Sequence, residues 1–460
     1  MTIESGVDAS WFRGLGLGVF VHWGHASTRG WELSWQMTGG VHQQEPPLEP
    51  VGCNEYFDNA AGFDPTRFDP AEWAELAWRA GARYMVFTAK HHDGFAMFDT
   101  RLSDYSITKH TAFGRDITRE VVDAFRERGF RIGLYFSIID WHHPDYPRYT
   151  DETVSKPYIV GSYPRVSPAK WDRYREFMLG QLDELLTGYG DLDLVWLDGE
   201  FEHTLEEWRF DDIRARIRDR QPRALVNDRC VGHGDFVTPE QQLPIVPPER
   251  PWEVCMTMNT TWGYVPSDDT WKSPALLLHT LIEAVSMGGN LLLNLGPTGD
   301  GRLPAEEAER LRALASWRDR HGESLDSVSP GLDLWQFHGP STRRDGPDGS
   351  SRVYLFLVMR PYERVVVRGL AVSRVRQVTL LTGPDSDPAG TAHPLAWSVH
   401  PRLKDVNSRV ADPLGELHIA VPPADLDDLC TVVVVDFAPA HSAGPGGRDR
   451  VDTERTTSDH

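Results

Sequence analysis

The chain has 460 residues with 40% apolar content, enough for two or three units around a substantial core. Its formal charge of −21 excludes a phosphate-gripping surface, because nucleic acid is held by clustered Lys and Arg and would be repelled by this field. Four scattered cysteines (Cys53, Cys230, Cys255, Cys430) form no CxxC pair or zinc spacing and read as reduced thiols. The N-terminal MTIESGVDASWFRG lacks the basic and apolar regions of a signal peptide, and no apolar run reaches the length of a membrane span, so a cytoplasmic protein without a membrane partner is expected. Sixteen tryptophans are many for this length and suit a ligand with C–H faces, such as a sugar.

In chain order, Gly14 to Trp23 (GLGLGVFVHW) reads as a buried strand that ends in His22. Asp69 and Pro70 open a helix that Gly81 closes, and the strand Ala82 to Lys90 follows, ending in His91, His92 and Asp93. The unit repeats: a helix from Asp116 to Gly129, then a strand from Phe130 to Ile138. A Pro- and Tyr-rich loop over 143–168 is long enough to be functional or mobile. A helix from Pro168 to Leu186 precedes LDLVWLDGE (192–200), where apolar residues deliver a lone carboxylate, Asp198, to a turn at Gly199. One helix is expected from Leu205 to Arg220, then a strand at Ala224 to Asn227, a weaker run at Trp252 to Met258, a helix from Pro274 to Met287 and the strand Asn290 to Leu295. A last helix runs from Pro304 to His321.

Alternating βα units with covered strands imply an α/β fold with a parallel sheet. Polar cargo at nearly every strand end favours a (β/α)8-like TIM barrel over a doubly wound sheet with one crevice. Seven strands and six helices can be placed, which leaves room for an irregular barrel. Short strands without helices follow, at 352–359, 364–368, 375–381, 416–421 and 430–437, the signature of a C-terminal β-sandwich. The expected division is a barrel over 1–330, a sandwich over 331–438 and a disordered tail over 439–460.

Two carboxylates about 5 Å apart can cleave a glycoside with retention. Asp198 suits the attacking role, and equally suits a strand-end carboxylate that caps the next turn. The candidate acids are Glu200, Glu202, Glu240 and Glu253. Glu240 lies in a loop able to swing over the site, whereas Glu253 also fits a buried carboxylate paired with Arg229 or Lys90. His22, His91 and His92 admit either a metal site or hydrogen bonding to sugar hydroxyls. The metal reading requires one of the adjacent histidines to turn, because neighbours on a strand point to opposite sides.

The motifs GVFVHWG (18–24), TAKHHDGF (88–95), GLYFS (133–137), VWLDG (195–199), VNDR (226–229) and GGNLLLNLGPTGDG (288–301) resemble, in this order and spacing, the α-L-fucosidases of glycoside hydrolase family 29. The match runs over roughly residues 12 to 320, and that family also carries a C-terminal β-sandwich. The resemblance implies an exo-acting, retaining enzyme for fucosylated oligosaccharides that needs no cofactor or metal, with Asp198 as nucleophile. It makes His22, His91, His92, Tyr135 and Trp196 holders of the sugar ring, Arg229 a pocket arginine and Glu240 the acid/base, with Glu253 the runner-up. Lys90 and Arg229 are expected to keep Asp198 ionised. Where the family has Glu-Trp-Tyr, this chain reads GWELSWQM, so either Glu32 serves from a shifted position or Ser34 and Trp35 replace Glu-Trp. A metal-dependent barrel hydrolase and a catalytically silent fucose-binding protein are the competing readings. Self-association into a homo-oligomer is left open by the sequence.

Overall fold

The structure, a computed structural model, describes residues 7–39, 48–146, 165–382, 393–401 and 414–439. Seven strands, β1 (Leu17–Val21), β2 (Ala82–Lys90), β3 (Arg131–Ser137), β4 (Leu194–Asp198), β5 (Leu225–Val226), β6 (Glu253–Met256) and β7 (Asn290–Leu295), form one curled parallel sheet in the order β5-β4-β3-β2-β1-β7-β6. Eight α-helices among the described residues accompany them: α1 (Cys53–Asp58), α2 (Pro70–Arg79), α3 (Ile117–Arg128), α4 (Pro168–Gly188), α5 (Leu205–Trp208), α6 (Phe210–Arg220), α7 (Pro274–Ser286) and α8 (Ala305–His321).

The period of two along each strand sorts side chains into separate cores. Val19, Val21, Met85, Phe87, Leu134, Phe136, Val195 and Leu197 face outward and share one large apolar cluster with helix residues such as Ala77, Val121, Phe125 and Leu182. Phe20, Tyr84, Val86, Tyr135, Leu194, Trp196, Leu225 and Leu292 face the inside of the curl and form their own cluster. Both faces are therefore dry, which is why these strands read as continuous apolar runs.

Helix ends follow their local signals. The Asp69 carboxylate accepts the N–H groups of Ala71 and Glu72 at 3.0 and 3.2 Å, with Pro70 in the first turn, and Asp116 accepts that of Arg119 at 2.9 Å. Gly129 closes α3 at φ +103°, a left-handed conformation open to glycine. The single helix expected over Leu205–Arg220 is instead two, α5 and α6, broken where Arg209 takes φ +52°. A capping box between Thr204 and Glu207 starts α5.

The sheet edges β5 and β6 are joined by an extended segment, 235–241. Asp235 N donates to Val226 O at 2.7 Å on one side, while on the other Glu253 N reaches Val237 O at 3.0 Å and Gln241 N reaches Cys255 O at 2.8 Å. Glu240 is thereby carried in register with Cys255, between the two edges.

From Ser329 the chain is antiparallel. Strands β8 (Ser329–Pro330), β9 (Ser341–Asp345), β10 (Ser351–Leu357), β11 (Val365–Leu370), β12 (Val375–Leu380), β13 (His393–Pro394), β14 (Ala396–Pro401), β15 (Gly415–Ala420) and β16 (Thr431–Phe437) form a six-stranded sheet, β13-β12-β16-β10-β9-β8, and a three-stranded one, β11-β15-β14. Val353, Leu355, Val433 and Val435 of the larger sheet share an apolar cluster with Val365, Val367, Leu417 and Ile419 of the smaller. On the opposite face, Tyr354, Phe356, Val432 and Val434 join the main core, and Trp317 of α8 donates to Cys430 O at 2.8 Å. All four cysteines are buried. No helix among the described residues is long and apolar enough to cross a membrane. Most of the loop expected over 143–168 and all but the first residue of the expected tail lie outside the described residues.

Candidate active site

Strand parity decides what enters the cleft. Trp196 faces inward, so Asp198, two residues on, does too, at the C-terminal end of β4 where the strand leaves the dry interior. Gly199 then turns the chain at φ +100°, and a Cβ there would lie 3.0 Å from Ile139. Inward residues at the same level of neighbouring strands supply the surroundings. Tyr135 stacks on Trp196 at 5.6 Å between centroids, and Phe20 lies 5.1 Å from the same indole.

Asp198 has four polar neighbours. Tyr135 donates its hydroxyl to Oδ2 at 2.7 Å, and Gly199 N donates to Oδ1 at 2.9 Å. Arg229 Nη1 stands 3.6 Å from Oδ1 and His92 Nε2 stands 3.6 Å from Oδ2. Two hydrogen bonds and a guanidinium thus fix the orientation of the carboxyl group.

Arg229 serves three acids at once. Its Nη1 is 3.4 Å from Glu200 Oε1, and its Nη2 donates to Glu240 Oε2 at 2.8 Å. Burial works against the guanidinium charge, but Asp198, Glu200 and Glu240 together outweigh it and hold the group well above its ordinary pKa. Partial burial pushes the Glu240 carboxyl up, with Arg229 pulling the other way and the Asp198 charge adding to the rise. Glu240 stays 42% exposed at the mouth, so the push is moderated by solvent. Burial and the Asp198 charge push Glu200 up to about 7.

The three histidines are neutral. Burial lowers His91 and His92 well below the usual imidazole value, helped at His91 by His92 and His22 and at His92 by His22, Lys90 and Arg229, and burial lowers His22 to about 4. Each Nδ1 is already engaged: His22 with Asn294 Oδ1, His91 with Ser34 Oγ and His92 with Ser137 Oγ, all at 2.7 Å. His91 and His92 lie in the turn beyond β2, which lets both rings come together at 4.2 Å between centroids. Among the described residues, no three His, Cys, Asp or Glu side chains converge as a metal ion would require.

The cleft is an open-mouthed cavity of about 60 Å³. His22, His91, Tyr135, Asp198, Arg229 and Glu240 give it polar groups, and Phe20, Trp35, Trp196, Phe201, Cys255 and Trp262 give it apolar walls. Facing carboxylates, neutral imidazoles and aromatic rings are a set suited to binding and cleaving a sugar.

Residues 3–323 match the family model described as α-L-fucosidase. The chain belongs to the α-L-fucosidase family of glycoside hydrolases. Tissue α-L-fucosidase of Macaca fascicularis is 32% identical over 356 residues, covering 73% of this chain and 72% of that one, and the Homo sapiens tissue enzyme is 30% identical over the same shares. Among solved structures, α-L-fucosidase isoenzyme 1 from Paenibacillus thiaminolyticus is 31% identical with a TM-score of 0.77, covering 94% of this chain and 98% of that one. The Thermotoga maritima α-fucosidase, solved in complex with a mechanism-based inhibitor, is 26% identical with a TM-score of 0.67 and covers 92% and 96%.

Of the residues that the sequence nominates in this fucosidase, eight line the cleft: Asp198, Glu240, His22, Trp35, His91, Tyr135, Trp196 and Arg229. His92 is fully buried just behind it, against Asp198. Glu253 is elsewhere. It opens β6 at the N-terminal end of the sheet, wholly buried, and accepts Tyr84 OH at 2.7 Å and Trp196 Nε1 at 2.9 Å, in place of the expected Arg229 or Lys90. Lys90 also departs from expectation: it faces outward to Gln181 Oε1 at 3.0 Å and Asp140 Oδ2 at 3.6 Å, while Arg229 supplies cationic charge to Asp198. Glu202 is buried between Trp141 and Tyr146. In GWELSWQM, Trp35 reaches the cleft and Ser34 backs His91, while Glu32 lies beneath Trp262. Sequence reasoning misses Trp262, which stands in an irregular segment without strand or helix periodicity. It also misses Phe201, although the spacing of three residues beyond Asp198 is a usable signal.

Proposed function

We propose that this chain hydrolyses terminal α-L-fucosides by double displacement with retention, with Asp198 as nucleophile and Glu240 as acid/base. The observation that carries the reading is Arg229, whose two terminal nitrogens face Asp198 and Glu240 at 3.6 and 2.8 Å and so bring both carboxyl groups to the same cleft. Asp198, held by Tyr135, Gly199 and Arg229, attacks the anomeric carbon as Glu240 protonates the departing oxygen. Once Asp198 is esterified its charge is gone, the upward push on Glu240 weakens, and Glu240 becomes the base that activates water. His22, His91 and His92 hold ring hydroxyls. Phe20, Trp35 and Trp262 offer apolar surface to the C–H faces and methyl group of fucose.

We further read the seven strands plus segment 235–241 as a closed (β/α)8-like barrel, on the strength of its bridges to both edges, and the two antiparallel sheets as a β-sandwich around their shared cluster. The division into 1–330 and 331–438 accords with the change to antiparallel pairing at Ser329. Proton NMR of an aryl α-L-fucoside during turnover tests the mechanism. The α-anomer of fucose appears first under this reading, and the β-anomer appearing first overturns it.

A further inference from the structure

His22 stands at the end of a hydrogen-bonded chain that begins at a buried carboxyl group. Glu32 accepts the backbone N–H of Trp262 at 2.6 Å on one oxygen and that of Gly263 at 2.7 Å on the other. The peptide unit that contributes the Gly263 N–H also contains the Trp262 carbonyl, and this carbonyl accepts Asn294 Nδ2 at 2.6 Å. The other end of the Asn294 amide, Oδ1, lies 2.7 Å from His22 Nδ1.

This order leaves no freedom in where the protons sit. A carbonyl oxygen only accepts, so Trp262 O settles which end of the Asn294 amide carries hydrogens. Oδ1 then faces His22 and also only accepts, so the His22 proton must be on Nδ1 and Nε2 is left bare. Each link donates on the Glu32 side and accepts on the imidazole side, so polarisation adds in one direction along the chain. Glu32, Asn294 and His22 are all buried, which keeps water from competing for these bonds. The same links hold the Trp262 peptide from both sides, and its ring forms a cleft wall 5.0 Å from the His22 ring.

We propose that Glu32 and Asn294 are positioning residues that lock His22 in the neutral Nδ1–H tautomer, so that its Nε2 acts as a hydrogen-bond acceptor and selects a sugar hydroxyl that donates there. The inference rests on reading the cleft as the fucose site. His92 is arranged alike, since Ser137 spends its hydroxyl proton on Ile139 O at 2.9 Å and must accept from His92 Nδ1. His91 differs, because its partner Ser34 has a hydroxyl that can serve as donor or acceptor.

The test is long-range proton–nitrogen correlation NMR of ¹⁵N-histidine-labelled protein at pH 7, with His22 assigned by the signal lost in His22→Gln. Wild type is expected to show His22 protonated at Nδ1. Asn294→Leu removes the acceptor, and Glu32→Gln offers a single oxygen to two N–H donors. Both are expected to introduce the Nε2–H form and to lower kcat/KM on an aryl α-L-fucoside by about tenfold, the scale of one lost hydrogen bond. In wild type, one of the monodeoxy aryl fucosides should be penalised, and that penalty should shrink in Asn294→Leu. His22 protonated at Nε2 in active wild type overturns the proposal, as does an unchanged Nδ1–H signal in both variants. The spectrum needs no turnover, so failure of the fucosidase reading shows separately, as absence of activity with His22 still protonated at Nδ1.

Discussion

The Tyr135 hydroxyl donates to Asp198 Oδ2 at 2.7 Å, joining the ends of two adjacent parallel strands across the floor of the cleft. Burial and the Asp198 charge both push the phenol well above its ordinary pKa, so it remains a donor throughout the working pH range. Tyr135→Phe keeps the ring stacked on Trp196 and removes only that donor. Its kcat/KM on an aryl α-L-fucoside is expected to fall by roughly 10- to 100-fold, the scale of a hydrogen bond to a charged group, with Tm nearly unchanged. Undiminished activity would remove Tyr135 from the account.

Glu240 and Glu253 are separated by the same logic. Glu240→Gly should slow an aryl fucoside with a good leaving group modestly and a natural fucoside far more, because only the poor leaving group needs a proton. Glu253→Gln should leave that ratio unchanged, since its carboxyl holds Tyr84 and Trp196 beneath the cleft. Equal losses on both substrates in Glu240→Gly would move the acid elsewhere.

Stability should respond to pH in a specific way. Burial raises Glu202 and Glu253 from 4.5 to about 7 and Glu32 and Glu307 to about 8, and lowers His22 and His203 from 6.5 to about 4. Between pH 4.5 and 6.5 the folded chain keeps carboxyl protons that the unfolded chain has shed, which makes stability fall as pH rises. Over the same window the unfolded chain holds imidazole protons that the folded one refuses, which makes stability rise, and the two sets offset. Above 6.5 the carboxyls dominate, so stability falls toward about 8, where Lys272, lowered to about 8 by burial, begins to oppose the fall. Tm should therefore be lower at pH 8 than at pH 6, with a narrower gap in a Glu253→Gln, Glu307→Gln double variant. Equal or higher Tm at pH 8 would contradict this.

Much of this is legible in the sequence where both faces of a strand are buried. β2 and β7 can be read to the residue because their runs stop at the polar His91-His92-Asp93 and at Gly296-Pro297. β5 cannot, because after Val226 the Asn227 side chain takes over the ladder, bonding both N and O of Leu197 at 2.9 Å. Asp198 and Glu253 look alike as acids on strands, and what distinguishes them is depth: one closes β4 and the other opens β6. Strand direction could have ranked them, since the C-terminal ends carry the chemistry in parallel barrels. The partnership of Glu32 with the Trp262 and Gly263 N–H groups spans some 230 residues and leaves no local trace. Polar strands such as β9 (STRRD) escape because their pattern matches a loop.

The most direct test of the central claim is mass mapping of peptides after inactivation with a 2-deoxy-2-fluoro-α-L-fucosyl donor, which slows both steps and traps the ester. The expected result is one fluorofucosyl group, on Asp198, with Asp198→Gly unlabelled and essentially inactive. A label on Glu200 or Glu240, or full activity in Asp198→Gly, would contradict it.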